Sequence, residues 1–165
     1  SCPHCYNVLK NEYRQFGGNY NVTHHSEFLR EMLGSGVLRP EISRTEKIVF
    51  HDPCYLGRGH NIYDAPREVL RAIPGAGLKE MKRHGRKSMC CGGGGGHFWM
   101  DFEEGKRINN IRIEQALETG ARTIATGCGY CMQMLEDSIK IMNKDDDLQV
   151  VDIATLLMET LEEKK

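Results

Sequence analysis

The chain has 165 residues, of which 27% are charged and 39% apolar, and its formal net charge is −1. This length and composition are typical of one globular domain with a hydrophobic core, and the near-neutral charge excludes a nucleic-acid-binding footprint. The sequence contains no run of about 18 apolar residues and no visible signal peptide, so we predict no membrane span in this chain.

Helical spacing of apolar residues predicts helices over residues 3–16, 26–34 and 64–73 in the first half of the chain. Ser26 is the expected N-cap of the second helix. β-like runs predict a short strand at 20–24, a strand at 47–51 and a weak strand at 77–81. The basic stretch 79–87 is interpreted as a solvated face, with a docking patch for an acidic partner as the alternative. The expected inward residues of the first two helices are Tyr6, Leu9, Tyr13, Phe16, Phe28, Leu29, Met32 and Leu33.

The second half predicts helices over 103–118, 130–142 and 153–163, and strands over 123–126 and 148–151. Strands and helices therefore alternate along the chain. This alternation favours an α/β fold, with a small parallel sheet flanked by helices.

An internal repeat divides the sequence. Cys2-x-x-Cys5 and Cys128-x-x-Cys131 lie 126 residues apart, and the apolar residues that follow each pair match in order through a helix, a strand and a second helix. We therefore expect residues 1–45 to be the C-terminal part of a first module and residues 46–165 to be a complete second module. The opening Ser1-Cys2 also indicates a piece of a longer protein.

Seven cysteines and no export signal favour a reducing compartment with metal or redox chemistry over a disulfide framework. Within the second module the cysteines follow the pattern C-x35-CC-x36-C-x2-C. Each group comes where a predicted strand ends, and the carboxyl ends of parallel strands meet at one edge of a sheet. The sequence thus predicts one cluster of five thiols, formed by Cys54, Cys90, Cys91, Cys128 and Cys131.

Five thiolates are one more than tetrahedral zinc takes, and a lone redox couple would leave three without a role. An iron–sulfur cluster offers several iron atoms, so that adjacent cysteines can reach different irons. Zinc in part of the set, redox thiols and inert buried cysteines are the alternatives. Cys131 lies in the first turn of a helix, whose positive end favours a thiolate.

The glycine run Gly92, Gly93, Gly94, Gly95 and Gly96 follows the cysteine doublet directly. Glycine adopts positive φ and allows close backbone approach, so this run can direct N–H groups at an anionic cluster. A dinucleotide-binding loop is the competing interpretation. It is disfavoured because the last position of a G-x-G-x-x-G frame falls on His97 or Phe98.

The cysteine spacing together with "CCGGGG" resembles the cysteine-rich CCG domain. That domain occurs in the catalytic subunit of heterodisulfide reductase and in iron–sulfur subunits of glycolate oxidase, anaerobic glycerol-3-phosphate dehydrogenase, lactate-utilisation proteins and type-E succinate dehydrogenase. The resemblance implies a non-cubane 4Fe–4S cluster with five cysteine ligands. On this resemblance the ligands are Cys54, Cys90, Cys91, Cys128 and Cys131, whereas Cys2 and Cys5 are the last ligands of an incomplete first-module site that zinc could also occupy.

The resemblance implies an iron–sulfur oxidoreductase subunit that either reduces a disulfide or relays electrons to an acceptor such as quinone. Its implied partners are redox subunits, with a ferredoxin-like or flavin-containing donor, and its implied location is cytoplasmic, or membrane-associated through other regions or subunits. Whether the chain alone is an enzyme stays open, and no catalytic residue is assigned. A zinc-stabilised structural or interaction module is the rival interpretation.

Several further residues carry weaker expectations. His51 is interpreted as a core or capping residue, with a proton donor as the alternative. His97 and Trp99 are expected to pack on the glycine loop, with a substrate or partner contact as the alternative, and Tyr130 is expected to shield the cluster. His24 and His25 are expected at the surface, and Met132 and Met142 in the core. Gly129 departs from the family pattern, which commonly has proline there, as at Pro3.

Overall fold

A computed structural model describes residues 1–100 and 106–161 of the chain. Its centre is a four-stranded sheet in the order β2-β1-β3-β4, with all neighbouring strands parallel. The strands are β1 (Lys47–Phe50), β2 (Gly77–Lys79), β3 (Thr123–Thr126) and β4 (Gln149–Asp152). Ile48 of β1 pairs with Leu78 on one side and with Thr123 on the other. The α/β fold class predicted from the alternating pattern is confirmed.

Seven α-helices are assigned in the part of the chain that the structure describes. The first continues as a π-type helix (Val8–Glu12) and a 3₁₀ helix (Tyr13–Phe16), and further 3₁₀ helices span Gly85–Lys87 and Gly94–Trp99. Over residues 1–100 and 106–161, no helix is both long and apolar enough to cross a membrane. The α-helices are α1 (Pro3–Asn7), α2 (His25–Gly34), α3 (Cys54–His60), α4 (Asp64–Arg71), α5 (Ile108–Leu117), α6 (Gly129–Ile141) and α7 (Ile153–Met158).

Helices cover both faces of the sheet, because β1 directs alternate side chains to opposite sides. Ile48 and Phe50 pack with α4 and α7, whereas Val49 packs with α5 and α6. Helix α2 adds Leu29 and Leu33 to the α4–α7 side. The N-terminal segment is therefore packed on the same core as the sheet.

Most predicted elements are confirmed, with shifted ends. The helix expected over 103–118 begins only at Ile108, and positions 103–105 lie outside the described residues. The last helix ends at Met158, and positions 162–163 also lie outside them. The sequence analysis missed α3, because only Leu56 and Gly57 of this short, glycine-containing helix are buried and the helix has little apolar periodicity.

Two expectations for the N-terminal segment are wrong. Residues 18–24, all of them described, form no strand, because no strand in the described part of the chain lies beside them to satisfy their backbone groups. Of the four residues expected inward on the first helix, only Tyr6 is buried, and Phe16 is 81% exposed. Met132 and Met142, by contrast, pack on the core as expected.

The N-cap of α2 is His24 rather than Ser26, which lies inside the helix. The His24 Nδ1 atom accepts a hydrogen bond from the Ser26 backbone N–H and lies 2.8 Å from the Ser26 hydroxyl. His24 is buried, and His25 is mostly buried with its Nε2 atom 3.4 Å from Asp152. The surface placement expected for both histidines is therefore wrong, because the helix cap draws them into the α2–β4 contact.

Burial, followed by the neighbouring His25, lowers the pKa of His24 to about 3, although Asp152 opposes this shift. Between pH 3 and 6.5 the unfolded chain thus binds a proton at His24 that the folded chain does not. We expect the free energy of unfolding to fall as the pH drops below about 6.5, by up to about 1.4 kcal/mol per pH unit for each such group. His24→Asn keeps a capping side chain but no titrating ring, and should reduce this slope in urea unfolding at pH 7.5, 6 and 5. An identical slope in both proteins would contradict the assignment.

Candidate metal centre

The cysteines of the second module lie where the strand order reverses, at the carboxyl ends of β1 and β3. Crevices at such a switch point are the usual binding sites of open α/β sheets. Cys54 begins α3 directly after β1, and Cys128 caps α6 directly after β3, with Cys131 in the first turn of that helix. Cys90 and Cys91 arrive on the segment that follows β2. The structure therefore brings together all five cysteines predicted to form one cluster.

These five thiols form one hydrogen-bonded series. Cys54 and Cys91 both donate to the Cys90 sulfur, while Cys131 donates to Cys91 and to Cys128. Cys91, Cys128 and Cys131 are buried, and Cys54 and Cys90 are half-buried. All five line a cavity of about 300 Å³. The arrangement is a compact, mostly buried, all-sulfur donor set.

Negative charge in this set is favoured at Cys90. Hydrogen bonds from Cys54 and Cys91 lower the pKa of Cys90 well below its ordinary value, and these bonds outweigh burial. The Gly92 backbone N–H also donates to the Cys90 sulfur at 3.3 Å. Donation to Cys90 is the main cause that raises the pKa of Cys54. The pKa of Cys91 is raised to about 11, because its bond to Cys90 and burial outweigh its bond from Cys131.

The N-terminus of α6 stabilises a thiolate at Cys128, not at Cys131. A hydrogen bond from Cys131, together with the backbone N–H groups of Cys131 and Tyr130, lowers the pKa of Cys128 to about 7. The pKa of Cys131 is raised instead, because its thiol donates to Cys128 and Cys91. The expectation of a thiolate at Cys131 is therefore wrong for the metal-free protein, because the N-cap residue is the one that accepts the free N–H groups of the helix.

The glycine run curls beside the sulfurs. Gly92, Gly95 and Gly96 have φ of +88°, +65° and +80°, which side chains other than glycine rarely adopt. A Cβ atom on Gly93 would lie 2.9 Å from Met134 Cγ, so this position also requires a close approach. Backbone N–H groups of residues 92–94 point at the Cys90 and Cys91 sulfurs. Residues 93–96 line the five-cysteine cavity, whereas Gly92 lines a neighbouring one.

Aromatic side chains surround the mouth of the cavity. Tyr130, 50% exposed, lies there as the expected shield, and the His4 ring stacks on Tyr55 at 4.1 Å. Trp99 contacts the Phe98 ring at 4.7 Å but is 83% exposed, so the packing expected for Trp99 is mostly absent. His97 lines the neighbouring cavity of about 150 Å³ beside α5. The basic side chains of residues 79–87 are exposed, as expected for a solvated face.

Cys2 and Cys5 lie apart from the five-cysteine cavity. The Cys2 sulfur accepts a hydrogen bond from the Cys5 backbone N–H at 3.5 Å, at the N-terminus of α1. Neither residue lines the cavity, although His4 between them does. The two thiols therefore form a separate pair at the rim.

The segment that carries Cys90 and Cys91 is tied to β1 by a buried ion pair. Asp52, 2% exposed, accepts two hydrogen bonds from Arg67 at 2.7 and 3.0 Å and one from the Gly85 backbone N–H at 2.8 Å. Arg67 also binds Glu80. Arg58 donates to the Ser88 carbonyl at 2.6 Å. These bonds fix the path of residues 80–88 and thereby the position of the cysteine doublet.

His51 and Arg112 complete the buried wall. His51 is fully buried, as expected for a core residue, and a ring nitrogen lies within 4.8 Å of the Cys91 and Cys131 sulfurs. Arg112, also fully buried, donates from Nε to His51 Nδ1 at 3.0 Å. The sequence analysis did not single out Arg112. The available signal was its position on the inward stripe of α5, shared with Asn109, Ile113 and Ala116.

Comparison with protein families matches residues 48–136, more than half of the chain, to the CCG cysteine-rich domain. The chain belongs to this family. The resemblance noted from the cysteine spacing is thus confirmed. The matched range contains all five clustered cysteines of this CCG chain, the glycine run, and the sheet from Ile48 of β1 to the end of β3.

Similar curated proteins extend across nearly the whole chain. It is 48% identical to the probable iron–sulfur-binding oxidoreductase FadF of Bacillus subtilis, over 96% of this chain and 23% of that protein. It is 38% identical to the EtfAB:quinone oxidoreductase of Syntrophomonas wolfei, over 98% and 23%. It is 31% identical to a component of the dihydromethanophenazine:CoB–CoM heterodisulfide reductase of Methanosarcina barkeri, over 98% and 40%. The chain thus spans less than half the length of each of these relatives.

Removing Arg67 should strongly destabilise the protein, because it leaves Asp52 as a buried, unpaired charge. We expect Arg67→Met to lower the free energy of unfolding by about 3–5 kcal/mol in urea titrations under reducing conditions. The control is Arg30→Met, which removes an exposed pair with Glu68 at 4.0 Å and should cost at most about 1 kcal/mol. Similar losses in both variants would refute a special role for the buried pair.

Gly129→Pro should stabilise the protein. Gly129 is the first residue of α6, its Cβ position is open, and Cys128 before it has the extended φ and ψ of −152° and 119° that a following proline prefers. We expect a gain of about 0.4–1 kcal/mol in unfolding free energy, measured by urea titration. Gly127→Ala is the control and should not stabilise, because its Cβ would lie 3.2 Å from His25 Cε1. A loss of stability in the proline variant would contradict the assigned helix start.

Proposed function

We propose that this chain holds an iron–sulfur cluster and passes electrons as one part of a larger oxidoreductase. The observation that carries the proposal is the single hydrogen-bonded series of five cysteine sulfurs around one cavity. An iron–sulfur cluster is held by thiolates and accepts ligands at several irons, which suits an adjacent pair such as Cys90 and Cys91. Relatives named as iron–sulfur-binding and as oxidoreductases support the same assignment.

The donor set fits such a cluster in three respects. All five candidate ligands, Cys54, Cys90, Cys91, Cys128 and Cys131, are sulfur atoms with mutual contacts. Backbone N–H groups of the glycine run and of the α6 N-terminus point at these sulfurs and would offset negative charge. Burial of three of the cysteines limits water access to the site. A bound cluster would supply one-electron chemistry, while the surrounding residues orient the thiolates and exclude water.

The finer form of the proposal is a non-cubane 4Fe–4S cluster, as the family resemblance implies. We propose residues 46–165 as the complete module and residues 1–45 as the tail of a preceding one, in which Cys2 and Cys5 would serve another site. The donor is proposed to be a flavin-containing or ferredoxin-like redox partner. The higher similarity to FadF and to the EtfAB:quinone oxidoreductase favours electron relay toward an acceptor such as quinone over reduction of a disulfide.

Metal analysis of the anaerobically reconstituted chain tests this proposal. We expect a brown protein with about four irons and matching sulfide per chain, and visible absorption that bleaches on reduction. Cys91→Ala should lose most of the iron and absorption, because Cys91 contacts two other sulfurs of the set. Cys5→Ala is the matched control and should retain both. A colourless wild-type protein holding one tightly bound zinc would overturn the proposal in favour of a structural module, as would equal iron losses in the two variants.

A further inference from the structure

Buried His51 has one ring nitrogen with a partner and one without. Its Nδ1 accepts from Arg112, whereas its Nε2 is a buried atom with no hydrogen-bond partner among the described residues. Buried polar atoms are rarely left unsatisfied, because the lost hydration costs about 1–3 kcal/mol. A ring nitrogen of this histidine lies within 4.8 Å of the Cys91 and Cys131 sulfurs. The unpaired atom therefore requires a partner, and the sulfur site is the neighbouring region that could supply one.

The contact with Arg112 determines which ring nitrogen carries the proton. A guanidinium has only N–H donors and no acceptor, so the 3.0 Å contact from Arg112 Nε makes His51 Nδ1 an acceptor. Burial, followed by the nearby Arg112 charge, lowers the pKa of His51 to about 3, so the ring is neutral near pH 7. A neutral imidazole with a bare Nδ1 carries its proton on Nε2.

A protonated Nε2 is a hydrogen-bond donor and has no lone pair for a metal. His51 with Cys91 and Cys131 could look like a three-residue metal site on distance alone. The tautomer argues against that assignment, because metal binding at Nε2 would require loss of its proton. His51 is thus placed to direct an N–H group toward sulfur and not to act as a ligand.

Arg112 is itself held rigidly, which makes the tautomer a fixed property of the fold. Its Nη1 donates to the Arg83 carbonyl at 2.7 Å and to the Gln115 side-chain oxygen at 2.9 Å. Burial lowers the pKa of Arg112 only to about 10, so the guanidinium remains charged at neutral pH. A second buried nitrogen, Arg112 Nη2, has no partner among the described residues. The pair therefore brings both a hydrogen-bond donor and a positive charge to the wall behind the cysteines.

We propose that His51 is a positioning residue that tunes the site: its Nε2–H donates to a Cys91 or Cys131 sulfur of the loaded centre, and Arg112 sets the tautomer that makes this possible. The inference rests on the proposed iron–sulfur function. A hydrogen bond to a thiolate ligand strengthens as negative charge builds up on the sulfur, so it stabilises the reduced state more than the oxidised state. Its loss should make the midpoint potential more negative.

The direct test is a redox titration of the anaerobically reconstituted chain. We expect His51→Leu to retain its iron but to shift the reduced-to-oxidised ratio about tenfold toward the oxidised form at a fixed potential, which corresponds to about 59 mV for one electron. His51→Gln places an amide N–H near the lost Nε2–H and should restore most of the shift. The matched control is His24→Asn, which changes another buried histidine outside the cavity and should leave the potential unchanged.

A second readout needs no cluster. Nitrogen-15 NMR of the reduced, metal-free chain should show His51 as the neutral tautomer with its proton on Nε2, and Arg112→Met should abolish the preference for this tautomer. This measurement decides the first step even if His51→Leu fails to fold. A proton on Nδ1 in the wild-type chain would overturn the inference.

Iron analysis separates this inference from the proposed function. Wild-type protein without iron would refute the function itself. Full iron in the wild type with iron lost from both His51→Leu and His51→Gln would identify His51 as a ligand and overturn the donor role. Unchanged potentials in His51→Leu would overturn it as well, while leaving the iron–sulfur assignment intact.

Discussion

The reversal of strand order between β1 and β3 is the constraint on which the site depends. The connections that leave these two adjacent strands cross opposite faces of the sheet, toward α4 on one side and along α6 on the other. The chain therefore opens a crevice at their carboxyl ends. Cys54 and Cys128 come immediately after these strands, so the topology places them on either side of the crevice. The glycine-rich segment then closes it with Cys90 and Cys91 from the end of β2.

A second consequence follows from the strand alternation of β1, which continues beyond Phe50. His51 and Asp52 bind arginines from helices on opposite faces of the sheet: His51 accepts from Arg112 of α5, and Asp52 binds Arg67 of α4. The two residues that lead to Cys54 are thus fixed from both sides by buried guanidinium groups. Burying these charges is unfavourable, and their value lies in holding a short polar segment in one conformation beside the sulfurs.

The sequence was sufficient to predict the sheet strands and the gathering of the cysteines. β1 and β3 are short apolar runs followed closely by cysteine, and parallel strands bring their ends together without any further information. Arg112 and its contact with His51 could not be predicted in this way, because the contact joins residues 61 positions apart and no periodicity encodes it. His24 was misplaced for a related reason: its role as a helix cap depends on where α2 docks, which the local pattern does not contain.

The two Cys-x-x-Cys pairs separate what local sequence determines from what the fold adds. Cys2 and Cys128 are both extended N-cap residues, and in both pairs the backbone N–H of the second cysteine donates to the sulfur of the first. This turn forms with Pro3 after the first cysteine and equally with Gly129, so it is a property of the four-residue motif. Only the second pair, however, receives three further sulfurs from β1 and the glycine-rich segment among the described residues. A Cys-x-x-Cys turn is therefore a preformed half of a site, and the parallel sheet is what completes it.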